Sequence, residues 1–109
     1  MTDTYKTLYQ GYLPTTAGAL YTVPNGPTAL GAIVKHMTVV NVTGAAATFQ
    51  LFRNGTAASN AITPSSMTVP ANGLMEWDGT DAYLSADSIQ GIASASNTLL
   101  ITIDGDQVS

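Results

Sequence analysis

His36 is the only histidine, and the chain has no cysteine. Thiol nucleophiles, disulfides and thiolate zinc sites are therefore excluded. Serine and aspartate are plentiful enough for a hydrolytic Ser-His-Asp arrangement. No nucleophile elbow marks a serine, however, and the residues around His36 read as strand. His36 reads as a partly exposed sheet residue, and a pH-sensitive interface histidine is the functional alternative. Glu76, Asp78 and Asp81 fall close together, and Asp104 and Asp106 flank Gly105. Such oxygens in turns suit calcium. Their spacing does not match the Asp-x-Asp-x-Asp-Gly loop, and turns use Asp and Gly in any case. A paired-carboxylate glycosidase would need a cleft that a small, loop-poor domain rarely builds. Trp77 offers a platform for a sugar, but a lone strand tryptophan more often fills a core or an interface. No glycine cluster precedes a helix, so no phosphate loop is expected. The residues predict no enzyme, no metal site and no cofactor.

The elements that would position these residues are short and β-rich. The chain has 109 residues, which suits one domain. Charged residues make up 9%, against roughly 25% in ordinary soluble domains. A surface built instead from Thr, Ser, Asn, Gln and Ala is easily desolvated, which suits packing against copies of itself or an assembly. The net charge of −4, with three Lys and Arg in total, argues against nucleic acid and against anionic membrane surfaces. The N-terminus lacks the basic and apolar regions of a signal peptide, and no apolar run reaches the ~20 residues of a membrane helix. Synthesis in a cytoplasm is the expectation. The sequons at Asn41 and Asn54 are then incidental, because glycosylation requires secretion.

Tyr5, Tyr9 and Tyr12 crowd the first residues. They fit either an edge strand laid on a sandwich or an arm reaching a neighbouring subunit. Residues 1–18 form this strand or arm, and residues 19–109 form a single β-sandwich domain. The longest β-branched run, Ala32 to Val42, is followed by Thr43-Gly44 and by Ala47 to Arg53. This stretch predicts a hairpin. Pro24-Asn25-Gly26-Pro27 predicts a tight turn. The segment from Ala61 to Val69, interrupted by Pro64, predicts an edge or bulged strand. Leu74 to Asp78 predicts a short strand, with Leu74 and Glu76 on one face and Met75 and Trp77 on the other. Gly79 to Ala82 predicts a turn. Strands from Ile89 and from Thr98 complete about eight, spaced every ten residues or so. That pattern predicts an antiparallel all-β sandwich, Greek-key or jelly-roll-like. The expected core is Leu20, Val23, Ile33, Met37, Val39, Phe49, Leu51, Val69, Trp77, Ile89, Leu99, Ile101 and Ile103. Alternation leaves Val34, Val40, Phe52, Ile92 and Leu100 pointing outward, where with Tyr5, Tyr9 and Tyr12 they would carry subunit contacts.

The order of these segments resembles small β-sandwich virion proteins of tailed bacteriophages. The resemblance lies in residues 20–24 (Leu-Tyr-Thr-Val-Pro), in the long run from Ile33 to Gly44, and in Ala47 to Phe52. It continues through the Pro70-Ala71-Asn72-Gly73 turn, residues 74–79 and residues 84–94. Ser85-Ala86-Asp87 stands where a glycine is common in that group. The resemblance implies a virion part, either a capsid decoration subunit or a minor tail or fibre-associated protein. It further implies a homo-oligomer, with a trimer favoured, contacting the major capsid protein or tail proteins of the same particle. Such a protein is made in the host bacterial cytoplasm and resides in the virion. A carbohydrate-binding module using Trp77 is the reading from a different class.

Overall fold

The computed structural model describes residues 3–23, 31–64, 67–84 and 86–108. The turn expected at residues 24–27 lies outside them. Among the described residues the strands are β1 (Asp3–Tyr12), β2 (Gly18–Thr22), β3 (Gly31–Asn41), β4 (Ala47–Arg53), β5 (Met67–Val69), β6 (Leu74–Leu84), β7 (Ser88–Ala93) and β8 (Leu99–Val108), with a 3-10 turn at Ala58–Asn60. They form two four-stranded antiparallel sheets. Sheet A has the order β1-β8-β3-β6 and sheet B the order β2-β7-β4-β5. The neighbours β1–β8, β2–β7, β3–β6 and β4–β5 nest like the rungs of one long hairpin rolled up on itself. That winding is the jelly roll, so the expected all-β sandwich is the fold.

The same order corrects one expectation. β3 and β4 do not form a hairpin, because β3 lies in sheet A and β4 in sheet B. The segment between them crosses the end of the sandwich, and Asn41 fixes that crossing. Its side chain is 1% exposed. The amide Nδ2 donates to the Ala45 carbonyl at 2.8 Å and to the Val69 carbonyl at 3.1 Å. Its Oδ1 accepts from the Thr43 amide and the Thr43 hydroxyl. The true hairpin is β4–β5. After β4 the chain doubles back along its edge, where the Ile62 amide donates to Leu51 and Ala61 bridges Phe52. Pro64 interrupts this return path, as expected of an edge strand.

A register irregularity crosses sheet A over two adjacent rows, on either side of Asp104. Leu8 is an extra residue in β1 relative to β8, and Lys35 is one in β3 relative to β8. On the far side, Gly79 and Thr80 of β6 stand against Lys35 alone. Hence β6 runs unbroken to Leu84, and the turn expected at 79–82 is a bulge within a strand. A bulge changes which side chains face inward. In β3, Ala32 and Val34 are buried before it, and Met37, Val39 and Asn41 after it. Val34 is 3% exposed and belongs to the core, not to the outer face, while Ile33 is only half-buried. The bulge needs Gly105, since a Cβ there would lie 2.0 Å from the Ile33 carbonyl oxygen.

The remaining core is close to expectation. Val23, Met37, Val39, Phe49, Leu51, Val69, Ile89, Leu99, Ile101 and Ile103 are buried, with Leu20 and Trp77 packed at the margin. Phe52 is the second correction, at 5% exposed. By register it points away from Phe49 and Leu51, toward Gln90. The returning chain at Ala61 and Ile62 lies alongside it and leaves no open face there. Below Phe52, Arg53 ties three strand ends together. It donates to the Ala82 carbonyl, pairs with Asp87 and stacks over the Tyr83 ring. The Leu84 amide, with Asn54 and Arg53, donates to the Asp87 carboxylate and holds its pKa below the usual value. The neighbouring Ala86 has φ of 71°, the left-handed conformation that glycine adopts without strain.

Candidate functional site

Once register is fixed, the outer face of sheet A resolves into rows that run across all four strands. Tyr12 pairs with Leu100, Leu100 with Val40, and Val40 with Leu74. The inward partners of these strands are Leu99, Ile101, Met37 and Val39, so the row faces out. It is apolar from edge to edge. Tyr12 and Leu74 are 46% and 58% exposed, and Val40 and Leu100 are half-buried between them. The next row is neutral apart from its end: Gln10, Thr102, Thr38 and Glu76. The third row is Thr7, Asp104, His36 and Asp78.

The expected contact residues thus divide. Tyr12, Val40 and Leu100 come together in one row. Leu74 completes it, and the sequence had already placed Leu74 opposite Met75 and Trp77. Tyr5 lies on the same face beyond the bulge, 63% exposed. Tyr9 turns inward and packs against the core. Ile92 is half-buried and pairs with Gln50 on the outer side of sheet B, on the other face of the sandwich. Val34 and Phe52 are buried and present nothing to a partner.

His36 sits in the third row among acids. Its Nδ1 hydrogen-bonds the Asp78 carboxylate, and its Nε2 lies 2.9 Å from the Thr38 hydroxyl and 3.6 Å from Glu76. A carboxylate only accepts, so Nδ1 carries a proton, and in the neutral ring Nε2 accepts from Thr38. Asp104 accepts from Thr7, and Asp106 pairs with Lys35 at 2.9 Å. Asp78, His36 and Thr38 have the connectivity of an acid–base–hydroxyl relay. A hydrolase also needs free amide donors beside the hydroxyl for a developing oxyanion. Thr38 lies mid-strand, with β6 and β8 pairing on either side of β3. Its neighbourhood is a flat ladder whose amides are already committed to the sheet.

The hydrogen bond to Asp78 raises the His36 pKa most, with Asp78, Glu76 and Asp104 adding charge and partial desolvation opposing. The folded protein thus favours imidazolium more than the unfolded chain does. The stabilisation is fully present below the usual histidine value of about 6.5. It is lost as pH rises through the folded value. Titration of the His36 ring by NMR is expected to show a midpoint above 6.5 that falls in Asp78→Asn. An unchanged midpoint in that variant would show that Asp78 does not set it.

Trp77 lines an open groove of ≈ 410 Å³ between β6 and the returning segment, with Met75, Met67, Ile62, Pro64, Thr63 and Glu76. Among the described lining residues the polar side-chain atoms are those of Thr63, Glu76 and the Trp77 indole N–H, against the apolar Ile62, Pro64, Met67 and Met75 and the Trp77 ring, so the lining favours an apolar group over a glycan. No protein-family model matches the chain, and no curated protein matches it either.

Proposed function

We propose that this chain is a structural subunit of a tailed-bacteriophage virion, a capsid decoration protein that cements the head through subunit contacts. The observation that carries the reading is the apolar row Tyr12–Leu100–Val40–Leu74 across an outer sheet face. A charge-poor surface of small polar residues supports it, because little solvation is lost when such a face is covered. The resemblance of the segment order to that of small virion proteins supports it as well. In this reading the protein works as a homo-oligomer, with a trimer favoured, and sits against the major capsid protein. It stabilises the shell by mass action, since it binds the assembled lattice and not its free parts.

Electron microscopy of particles carrying the labelled protein tests the location. Label over the head supports the decoration role. Label confined to the tail would reassign the protein to a minor tail or fibre-associated part. The face is tested separately by Leu74→Asp, a substitution at an exposed position that leaves the core intact. Burying a carboxylate against the row costs more than the ~1.4 kcal/mol that corresponds to tenfold in affinity. Occupancy on particles is expected to fall about tenfold or more with unchanged thermal unfolding, and full occupancy would remove this face from the contact.

A further inference from the structure

Sheet A ends in two long strands, β1 with ten residues and β6 with eleven, at opposite edges, and among the described residues neither edge is paired with a further strand; only the last residues of β6 are engaged, the Ala82 carbonyl by Arg53 and the Leu84 amide by Asp87. Unpaired edges of this length are templates for another strand. We infer that the β1 edge of one copy pairs with the β6 edge of the next, so that sheet A continues head-to-tail around a closed ring of identical subunits. The inference rests on the homo-oligomeric reading above and supplies its geometry.

Polarity is the first argument. Four strands alternate in direction across the sheet, so β1 and β6 run oppositely. A copy set beside the first with the same face outward therefore brings its β1 antiparallel to β6. Height is the second. A closed ring about an axis along the strands allows no shift along that axis, so residues of one row meet across the joint.

The rows then predict the neighbours. Lys6, Gly105, Val34 and Asp81 share a row, so Lys6 of one copy meets Asp81 of the next. Gln10 meets Glu76, and Tyr12 meets Leu74. No two like charges come opposite in these rows, and opposite-sign and apolar cross-strand pairs favour the ladder. The bulges at Leu8 and at Gly79–Thr80 fall on either side of the row that holds Thr7 and Asp78, so the joint ladder is interrupted around that row and keeps its register beyond it, with Tyr9–Tyr12 against Leu74–Trp77 on one side and Lys6 against Asp81 on the other. Joined in this way, the apolar rows of successive copies run on as one band around the assembly.

The chain has no cysteine, so introduced thiols report alone. Tyr12 and Leu74 of one copy stand three strand spacings apart, roughly 14 Å. This is too far for a disulfide within one chain. Under mild oxidation the Tyr12→Cys/Leu74→Cys double variant is expected to give covalent multimers larger than dimers on a denaturing gel. Each single variant is expected to stay monomeric there, and an equimolar mixture of the two is expected to give a dimer. Reversing one charge, in Lys6→Glu or Asp81→Lys, is expected to weaken association about three- to fivefold, with recovery when both are present.

A single variant that links to itself would show two-fold pairing and overturn the inference. So would a double variant that stays unlinked while the native mass is a multimer, or a native chain that is monomeric by light scattering at high concentration. Particle localisation is read independently. A subunit found on the head whose double variant does not link loses only this joint.

Discussion

Gly105→Ala is expected to destabilise the domain by about 3 kcal/mol, at the upper end of overpacking costs. The added methyl would stand 2.0 Å from the Ile33 carbonyl oxygen and 3.0 Å from both the Ile33 carbonyl carbon and the Val34 Cα. All three atoms belong to backbone, so no rotamer change relieves the contact. β3 is held between β8 and β6 and cannot move without straining both ladders. Relief requires β3 and β8 to part at the bulge. This loses one or two ladder hydrogen bonds at about 1 kcal/mol each and loosens Val34 in the core. For a domain near this size the loss corresponds to a fall in Tm of roughly 12–20 °C. Gly79→Ala is the control. A Cβ at Gly79 meets nothing within 4 Å, and its effect is expected to stay within about 0.5 kcal/mol. Chemical denaturation of both variants measures the difference. Equal stability would mean that β3 shifts freely at the bulge.

The reason for Gly105 also explains what the sequence concealed. Alternation with period two placed Met37, Val39, Phe49, Leu51, Leu99, Ile101 and Ile103 correctly, because each lies in an uninterrupted stretch of strand. It failed at Val34 and Ile33, because one extra residue, Lys35, reverses the faces and nothing in local composition marks it. The hairpin expected from Ala32 to Arg53 failed for another reason. A short polar connection is equally compatible with a turn within one sheet and a crossing between two. What decides here is the buried Asn41, whose partners include Val69, distant in sequence. The outer apolar row was half legible. Tyr12, Val40 and Leu100 were identifiable as outward, but their alignment with Leu74 depends on register across three strand pairs. The His36 site divides similarly. Thr38 lies two residues away on the same face of one strand and is readable, whereas Asp78 arrives from β6 through pairing.

Asn41→Ala is expected to cost about 2–4 kcal/mol, and Asn41→Asp more than that at neutral pH. Asn41 makes four hydrogen bonds that use both amide hydrogens and the carbonyl. Truncation leaves the buried Val69 carbonyl without this donor, a loss of about 1–3 kcal/mol. It also opens a small void beside the core. Aspartate preserves the acceptor for Thr43 but turns a carboxylate oxygen toward the carbonyls of Ala45 and Val69. A buried charge without a counterion costs several kcal/mol. Protonation removes that charge, so the deficit of the Asp variant is expected to shrink as pH falls. Urea unfolding at pH 7 and pH 4 measures both effects, and an Asp variant as stable as the Ala variant at pH 7 would contradict this account of the site. The consequence extends to the outer face. The Asn41 backbone N–H donates to the Gly73 carbonyl, and the Asn72 backbone N–H donates to the Thr43 carbonyl. The crossing therefore holds the turn from which Leu74 emerges. An Asn41→Ala protein that still folds is expected to carry a displaced Leu74 at the end of the apolar row, and so to assemble less well than its remaining stability alone would allow.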